Sequence, residues 1–333
     1  MAKIRYEDWK PGSDALDVIA QAEVIAREYA RQGYDLTLRQ TYYQFVARGY
    51  IPNTDRSYKR LGSILNKARM AGLFDWDWMT DRTRNLAGIG SYRTPQQWLN
   101  DLARGFDVDH WEDQDVHVEV WVEKEALAGV VARAAGTWDV AYFSCRGYVS
   151  QSELWGAGQR LGDKAREGKD VLVLHLGDHD PSGIDMTRDI IDRLNLFVRQ
   201  DTVLEEIEAA HEAHQDLGDE NWQEAATERI ASVVDRLEVR RIALNMDQVQ
   251  EFNPPPNPAK LTDSRVAGYI EAYGRQSWEL DALDPATLDA LIQDNIREVV
   301  DMDRWTHHDN RAEIERDRLA EIADRYEEIV ADL

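Results

Sequence analysis

Two short apolar runs, each followed by acidic residues, form the clearest pattern in this sequence. Residues 171–176 are almost all Val and Leu and are followed by Gly177. Such a run is typical of a strand that is buried on both faces of a parallel sheet. Val116–Val122 alternates valine with larger or polar residues and predicts a second strand.

Helical patterns alternate with these strands. The sequence predicts helices over residues 126–135, 152–166 and 184–196, and a third strand over 138–143. An alternation of strands and helices is typical of an α/β domain with a parallel sheet. We expect this domain to span residues 115–200.

Acidic side chains stand where both strands end. Glu123 follows Val116–Val122, and Asp178 and Asp180 follow residues 171–176. Open α/β sheets usually bind their ligands at the carboxyl ends of the strands, and carboxylate oxygens suit Mg²⁺. An isolated Asp-x-Asp also occurs in solvated turns, but three acids from two strand ends predict a Mg²⁺ site, with Mn²⁺ as an alternative ion. Metal-assisted phosphoryl chemistry is the expected use.

The first 84 residues predict a different, helical unit. Amphipathic helices are expected over residues 13–32, 37–48 and 54–71, each followed by glycine. Three short helices are the skeleton of a helix-turn-helix unit, and residues 73–84 are candidates for a wing. We therefore expect a winged-helix domain over residues 1–84 and a linker over 85–114.

The third of these helices carries a basic strip opposite its apolar face. The strip consists of Arg56, Lys59, Arg60, Lys67 and Arg69. A solvated helix surface would have the same composition. Residues 31–70, however, contain 8 basic and 2 acidic residues in a chain of net charge −24. A chain so acidic meets DNA only through a local basic surface or bridging cations, so the strip is the predicted DNA contact.

The second helix holds a candidate nucleophile. Tyr42 lies on the apolar stripe and is expected in the core. Tyr43 is turned by about 100° from it and shares a face with Arg39, so we expect an exposed tyrosine beside a guanidinium. A phenol has a pKa near 10, so it needs a base or a cationic neighbour in order to attack. Spacing alone also allows a purely structural role for Tyr43.

The rest of the chain contributes less chemistry. Residues 201–240 contain 12 acidic residues and predict a solvated helical insert. Residues 241–333 are expected to complete the α/β domain and to add C-terminal helices. The sequence has no signal peptide and no apolar run of 18 residues, so we expect a cytoplasmic protein without membrane contact.

Three motifs together resemble the A subunit of topoisomerase VI and its type IIB relatives. Val122-Glu123-Lys124 resembles the glutamate motif of the family's Toprim domain, and residues 177–183 resemble its Asp-x-Asp-Pro-x-Gly loop. Residues 39–43, Arg-Gln-Thr-Tyr-Tyr, resemble the Arg-x-x-Tyr-Tyr element of its winged-helix (CAP-like) domain. The resemblance covers about residues 15–200, with a weaker one over 240–295. It is strongest to the standalone, mini-A members.

The resemblance implies a function. Tyr43 would attack a DNA phosphodiester and leave a 5′-phosphotyrosyl break, while Mg²⁺ is held by Glu123, Asp178 and Asp180. The family also implies a homodimer, because the tyrosine and the Toprim acids of one active site come from different protomers.

The chain departs from the family pattern at two points. Gln40 stands where the family has an acid, and no glycine-rich nucleotide-binding pattern occurs, so any ATPase partner would be a separate B-type subunit. Two alternatives stay open. The same acids could hydrolyse nucleic acid with water as the nucleophile and Tyr43 as a structural residue. In the second alternative, the protein binds DNA without cutting it.

Overall fold

A four-stranded parallel sheet lies at the centre of the structure. The computed structural model describes residues 3–34, 36–79, 91–213 and 216–331. Every neighbouring pair of strands is parallel, which confirms the predicted α/β class. In spatial order the strands are β2 (Ala141–Ser144), β1 (Val116–Val122), β3 (Asp170–Leu176) and β4 (Leu237–Ala243).

Helices account for most of the remaining described residues. They are α1 (Ser13–Arg31), α2 (Leu38–Ala47), α3 (Asp55–Met70), α4 (Pro95–Gly105), α5 (Ala128–Gly136), α6 (Gln151–Arg166), α7 (Pro181–Glu212), α8 (Glu220–Asp235), α9 (Met246–Phe252), α10 (Val266–Tyr273), α11 (Pro285–Val299), α12 (Met302–Asp324) and α13 (Tyr326–Ala331). Two short strands, β5 (Asn257–Pro258) and β6 (Gln276–Ser277), pair antiparallel. Within the described ranges, none of the helices has the length and apolar character needed to cross a membrane.

Alternate residues of β3 face two separate apolar clusters. Leu172 and Leu174 pack in one cluster with residues of α5 and α11. Val171 and Val173 pack in the other with residues of α6 and α7. Because helices cover both faces of the sheet, an inner strand buries nearly every side chain, which explains its unbroken apolar run.

The N-terminal helices α1, α2 and α3 form as the sequence predicts. The Thr37 and Thr54 side chains cap α2 and α3 by accepting hydrogen bonds from backbone N–H groups in the first turn. Tyr29, Phe45 and Leu65 are almost completely buried and belong to the same apolar cluster as the inner strands. The helical unit therefore packs directly on the α/β part and shares its core.

The predicted wing is only partly within the described residues, because 80–84 lie outside them. Residues 73–79 contain a short 3₁₀ turn, Trp76–Trp78, and a single bridge between Leu36 and Met79. No strand pair forms within 73–79. The winged-helix assignment of residues 1–84 stays a prediction.

Two segments contain secondary structure beyond what the sequence predicts for them. The described part of the predicted linker, residues 91–114, contains α4, which packs against α12. The predicted acidic insert, 201–240, consists of the end of α7, helix α8 and the first residues of β4. Sequence patterning misses strand β4, because it lies at the edge of the sheet, and its charged residues interrupt the apolar pattern there.

An arginine of β4 fixes the turn that follows β3. Arg241 is partly buried, and its Nη2 donates to the carbonyl oxygens of Gly177 at 2.9 Å and Asp178 at 2.6 Å. Its Nη1 donates to the carbonyl oxygen of Gly183 at 3.0 Å. Burial lowers the pKa of Arg241 to about 10, so the group remains charged at neutral pH. One guanidinium thus holds both ends of the turn through backbone carbonyls.

The same turn is tied to the C-terminal part of the chain. His179 and Trp278 exchange two backbone hydrogen bonds, of 2.8 and 2.9 Å. The Tyr269 hydroxyl donates to the carbonyl oxygen of His179 at 2.8 Å. Burial lowers the pKa of the His179 imidazole to about 4, so it is neutral at physiological pH. The turn therefore has little freedom to rearrange.

A methyl group at Gly183 would break this turn. A Cβ there would lie 2.2 Å from the backbone oxygen of Asp178, well inside van der Waals contact. We predict that Gly183→Ala lowers the free energy of unfolding by about 3 kcal/mol in urea titrations. Gly156→Ala is the matched control, because nothing lies within 4 Å of its added Cβ in α6. That control is expected to stabilise by about 0.5–1 kcal/mol. Equal stability of Gly183→Ala and wild type would contradict the packing described.

Glu119 of β1 is a buried acid that is held by three donors. Its oxygens accept hydrogen bonds from Arg160 Nε at 2.8 Å, Arg160 Nη2 at 2.9 Å and Trp121 Nε1 at 2.8 Å. Burial alone would raise the pKa of Glu119, but the hydrogen bonds from Arg160, His117 and Trp121 and the charge of Arg160 lower it to about 2.

This depressed pKa predicts a pH-dependent contribution to stability. The contribution is present above the unfolded pKa near 4.3 and is lost as the pH falls towards 2. We expect Glu119→Gln to lower the free energy of unfolding by about 2 kcal/mol at pH 7, and the difference from wild type to shrink between about pH 5 and pH 2. Glu167→Gln, at an exposed surface pair, should change stability by less than about 0.5 kcal/mol. A pH-independent difference at Glu119 would refute the assignment.

Candidate functional site

The structure brings Glu123 and Asp178 together at the carboxyl ends of β1 and β3. Glu123 directly follows β1, and its Oε2 accepts a hydrogen bond of 2.8 Å from the backbone N–H of Asp178. Both carboxylates are buried. The two acids are thus neighbours on adjacent inner strands.

Asp180 lies two residues beyond Asp178 in the same loop. It caps α7, with Oδ1 accepting hydrogen bonds of 2.7 Å from both Gly183 N and Ser182 Oγ. Lys260 Nζ lies 3.9 Å from its other oxygen, Oδ2. One oxygen of Asp180 therefore serves the helix, and the other faces an exposed ammonium.

Burial disfavours the ionised forms of the paired acids. The pKa of Glu123 is raised by burial and by Asp180, and Lys124 and Arg241 oppose the rise. The pKa of Asp178 is also raised by burial, which Lys124 opposes and Glu123 reinforces. A cation between these carboxylates would relieve their repulsion.

Two further acids, absent from the sequence-based site, join Asp178 through a lysine. Lys124 Nζ lies 2.8 Å from Asp178 Oδ2, 2.7 Å from Glu279 Oε2 and 2.6 Å from Asp281 Oδ1. Burial alone would lower the pKa of Lys124, but Asp281, Asp178 and Glu279 raise it above its ordinary value. The ammonium is therefore charged. The only signal in the sequence for Glu279 and Asp281 is an acid-x-acid spacing in an apolar frame, 101 and 103 positions beyond Asp178.

Arg39 of α2 closes this group from the helical unit. Its guanidinium pairs with Glu279, and its Nε lies 2.6 Å from Asp281 Oδ2. We call Arg39, Lys124, Asp178, Glu279 and Asp281 the charge cluster. It connects the helical unit, both inner strand ends and the C-terminal segment before α11.

Tyr43 lies beside Arg39, as its spacing predicts, but it is not exposed. Arg39 Nη2 is 3.4 Å from the Tyr43 hydroxyl, and the tyrosine is only 3% exposed. Tyr42 packs edge-on against its ring, with centroids 5.2 Å apart. Burial raises the pKa of Tyr43, as do Glu279 and Asp281, and Arg39 opposes the rise. The expected exposure fails because the C-terminal segment covers α2, which helical spacing cannot reveal.

The charge cluster lines a cleft of about 450 Å³. Glu123 also lines this cleft, with Lys260 and Arg146 at its rim. Tyr43 is buried next to the lining residue Arg39. The cleft therefore presents both carboxylates and cationic groups to anything that enters it.

The basic strip is exposed over most of its length. Arg56, Lys59, Arg60 and Lys67 are exposed on α3. Arg69 differs, because its Nη2 donates to the carbonyl oxygens of Trp76 and Met79 at 2.7 Å each. Arg69 therefore anchors the chain after α3, and four residues of the strip are presented to solvent.

The acids supply the right donors for Mg²⁺, although the present contacts do not form a ready site. Among the residues that the structure describes, no three His, Cys, Asp or Glu side chains are arranged to hold a metal ion. One oxygen of each of Glu123, Asp178 and Asp180 accepts a backbone N–H, and Asp178 Oδ2 contacts Lys124. Carboxylates are the hard oxygen donors that a divalent cation prefers, and Glu123, Asp178 and Asp180 are the residues that would hold one.

Comparison with known proteins identifies no relative of this chain. No protein-family model matches the sequence, and no curated protein is significantly similar to it. The function of the chain is therefore inferred from its own residues and their contacts.

Proposed function

We propose that this chain is a Mg²⁺-dependent DNA-cleaving enzyme in which Tyr43 forms a 5′-phosphotyrosyl bond, as in the A subunit of topoisomerase VI. The observation that carries the proposal is the position of Arg39. One guanidinium contacts the Tyr43 hydroxyl on one side and the acids of the cleft on the other. A candidate nucleophile, a phosphate-binding cation and the strand-end acids thus belong to one connected site.

The proposed reaction exchanges one phosphodiester for another. The Tyr43 oxygen forms a bond to phosphorus, the bond from phosphorus to the 3′ oxygen breaks, and the proton lost by the phenol is balanced by one gained by the 3′ oxygen. Arg39 neutralises phosphate charge during the attack. Glu123, Asp178 and Asp180 would hold Mg²⁺, which would supply positive charge to the attacking and leaving oxygens.

Tyr43 must become accessible before it can attack. The raised pKa of Tyr43 reflects its burial beside Glu279 and Asp281. In the proposed reaction, an incoming phosphate competes with these acids for Arg39 and draws the guanidinium away from them. The guanidinium stays beside the phenol and no longer pairs with these acids, so more of its positive charge is available to favour the ionised form of Tyr43.

The exposed part of the basic strip is the proposed DNA surface. Arg56, Lys59, Arg60 and Lys67 give α3 a local positive face in an acidic chain. The family resemblance further suggests a homodimer, whose two-fold symmetry suits paired cuts on two strands, and a separate ATPase subunit. It also suggests a Toprim assignment for the sheet, to which the four parallel strands conform.

Hydrolysis by water is the second candidate. The observation that favours it is the burial of Tyr43, which is 3% exposed, whereas Glu123 and Asp178 line an open cleft. In this alternative the acids and their metal ion activate water, and Tyr43 only supports α2.

Substitution of Tyr43 separates the two reactions. We predict that Tyr43→Phe reduces covalent protein–DNA adducts, trapped by denaturation in Mg²⁺ or Mn²⁺, by at least about 1,000-fold. Tyr42→Phe is the matched control. It removes a neighbouring phenol that bonds to Asn53 Oδ1 at 2.7 Å, and it should retain adducts within about tenfold. Free cut ends that persist in Tyr43→Phe would instead establish the hydrolase.

Neutralising the exposed strip should weaken DNA binding in a salt-dependent manner. We expect the combined alanine variant of Arg56, Lys59, Arg60 and Lys67 to bind duplex DNA at least about tenfold more weakly in 100 mM salt. The plot of log K against log salt should become shallower by about 0.9 for each phosphate that the variant no longer neutralises. Lys164→Ala, which removes a surface lysine of α6 paired with Glu167, is the control. An unchanged salt slope in the combined variant would exclude α3 as the DNA surface.

A further inference from the structure

Glu279 is an acid of the charge cluster that reaches the solvent of the cleft. Its side chain is 23% exposed, whereas that of Asp281 is completely buried. The Glu279 Oε2 atom lies 2.7 Å from Lys124 Nζ and also pairs with Arg39 Nη2. Two cations, one from α2 and one from the end of β1, therefore meet at a single carboxylate oxygen.

The second oxygen of Glu279 is held more loosely. Its Oε1 makes a long contact of 3.5 Å with Asn257 Nδ2. The Asn257 amide is oriented by Asn53, whose Nδ2 donates to Asn257 Oδ1 at 2.8 Å. A guanidinium, an ammonium and an amide N–H group thus surround the Glu279 carboxylate, and all three are donors.

The same donors suit a phosphodiester. Guanidinium and ammonium groups bind phosphate oxygens as they bind carboxylate oxygens, through charge-assisted hydrogen bonds. A phosphodiester and an ionised carboxylate each carry one negative charge. Replacing the Glu279 carboxylate by one phosphate of a DNA backbone therefore leaves the net charge of the cleft unchanged, and neither Arg39 nor Lys124 loses an anionic partner.

The backbone on both sides of Glu279 is fixed, so its side chain is the part that can move. Trp278 exchanges two backbone hydrogen bonds with His179, and the Leu280 N–H donates to Asp178 Oδ1 at 2.8 Å. The partly exposed Glu279 side chain can turn out of the cleft without displacing this segment. Buried Asp281 stays in place, with Lys124 Nζ at 2.6 Å.

The position that Glu279 would leave is next to Tyr43. The Arg39 Nη2 atom that pairs with Glu279 also lies 3.4 Å from the Tyr43 hydroxyl. A phosphate at this position would share that nitrogen with the phenol. After burial, Glu279 is the largest cause of the raised pKa of Tyr43, so its departure also favours ionisation of the phenol.

We propose that the Glu279 carboxylate occupies a binding site for one phosphate of the DNA backbone, formed by Arg39, Lys124 and Asn257, and that the phosphate enters by displacing it. The inference rests on the DNA cleavage proposed above and identifies the side chain that blocks the site in the free protein. Glu279 thus acts as an internal competitor of the substrate, and Lys124 becomes a second phosphate ligand beside Arg39.

Binding of dimethyl phosphate in EDTA tests the site in the absence of cleavage and of divalent ions. This probe is a phosphodiester monoanion without base or sugar, and its binding to the intact protein can be followed by phosphorus NMR. Glu279→Ala should bind it at least about tenfold more tightly than the wild type, because the competing carboxylate is gone. The variant is expected to fold, since Lys124 keeps Asp178 and Asp281, and Arg39 keeps Asp281.

Glu125→Ala is the matched control. It also removes one carboxylate that lines the cleft and frees one arginine, Arg146. A general change in charge would affect both variants alike, so Glu125→Ala should bind dimethyl phosphate within about threefold of the wild type. Glu279→Ala/Lys124→Met should lose most of the gain, because one of the two cationic ligands is missing.

Each other outcome has a distinct meaning. Equal affinities of Glu279→Ala and Glu125→Ala would overturn this inference and leave DNA cleavage to be decided by the Tyr43 adducts. A gain that survives in Glu279→Ala/Lys124→Met would overturn it as well. The expected gain without Tyr43-dependent adducts would support the phosphate site and overturn the cleavage proposal alone. If Glu279→Ala does not fold, as judged by circular dichroism, Glu279→Gln decides. It keeps the shape of the side chain and removes its charge, and it should bind at least about threefold more tightly than the wild type.

Discussion

The geometry of the site depends on one partly buried guanidinium. Arg241 holds the turn after β3 through the backbone oxygens of Gly177, Asp178 and Gly183, so the position of the turn is set by the edge strand β4. These bonds use carbonyl groups only and leave the carboxylates of the turn for other partners. Because a buried charge is expensive to leave unpaired, Arg241 and the turn stabilise each other.

The charge cluster reduces the net negative charge of the cleft. Asp178, Glu279 and Asp281 are balanced in part by Lys124 and Arg39. The cleft therefore repels a phosphate far less than its acid content suggests. The same balance connects the helical unit to the sheet. Asn53 adds to this connection by donating to Pro256 O at 3.0 Å and Asn257 Oδ1 at 2.8 Å.

Local patterns predict the parts of this structure that depend on short stretches of chain. The two inner strands are continuous apolar or alternating runs, the threonine caps start α2 and α3, and the strand-end acids follow from strand direction. Contacts across long separations cannot be read in the same way. The lysine that follows Glu123 meets Glu279 and Asp281 about 155 residues away, at a separation that no spacing rule covers. The burial of Tyr43 and the pairing of β4 with β3 also depend on contacts between residues that lie far apart in the sequence.

The order of the strands has a consequence for where this chain can bind a ligand at all. From β1 the chain crosses through α5 to β2 on one side, whereas from β3 it crosses through α7 and α8 to β4 on the other. Helix α5 covers one face of the sheet, and α7 covers the opposite face. The connections therefore diverge between β1 and β3 and leave a crevice at their carboxyl ends, the topological switch point of the sheet. Its place is set by the path of the backbone, so the acids could be exchanged for other chemistry without moving the opening.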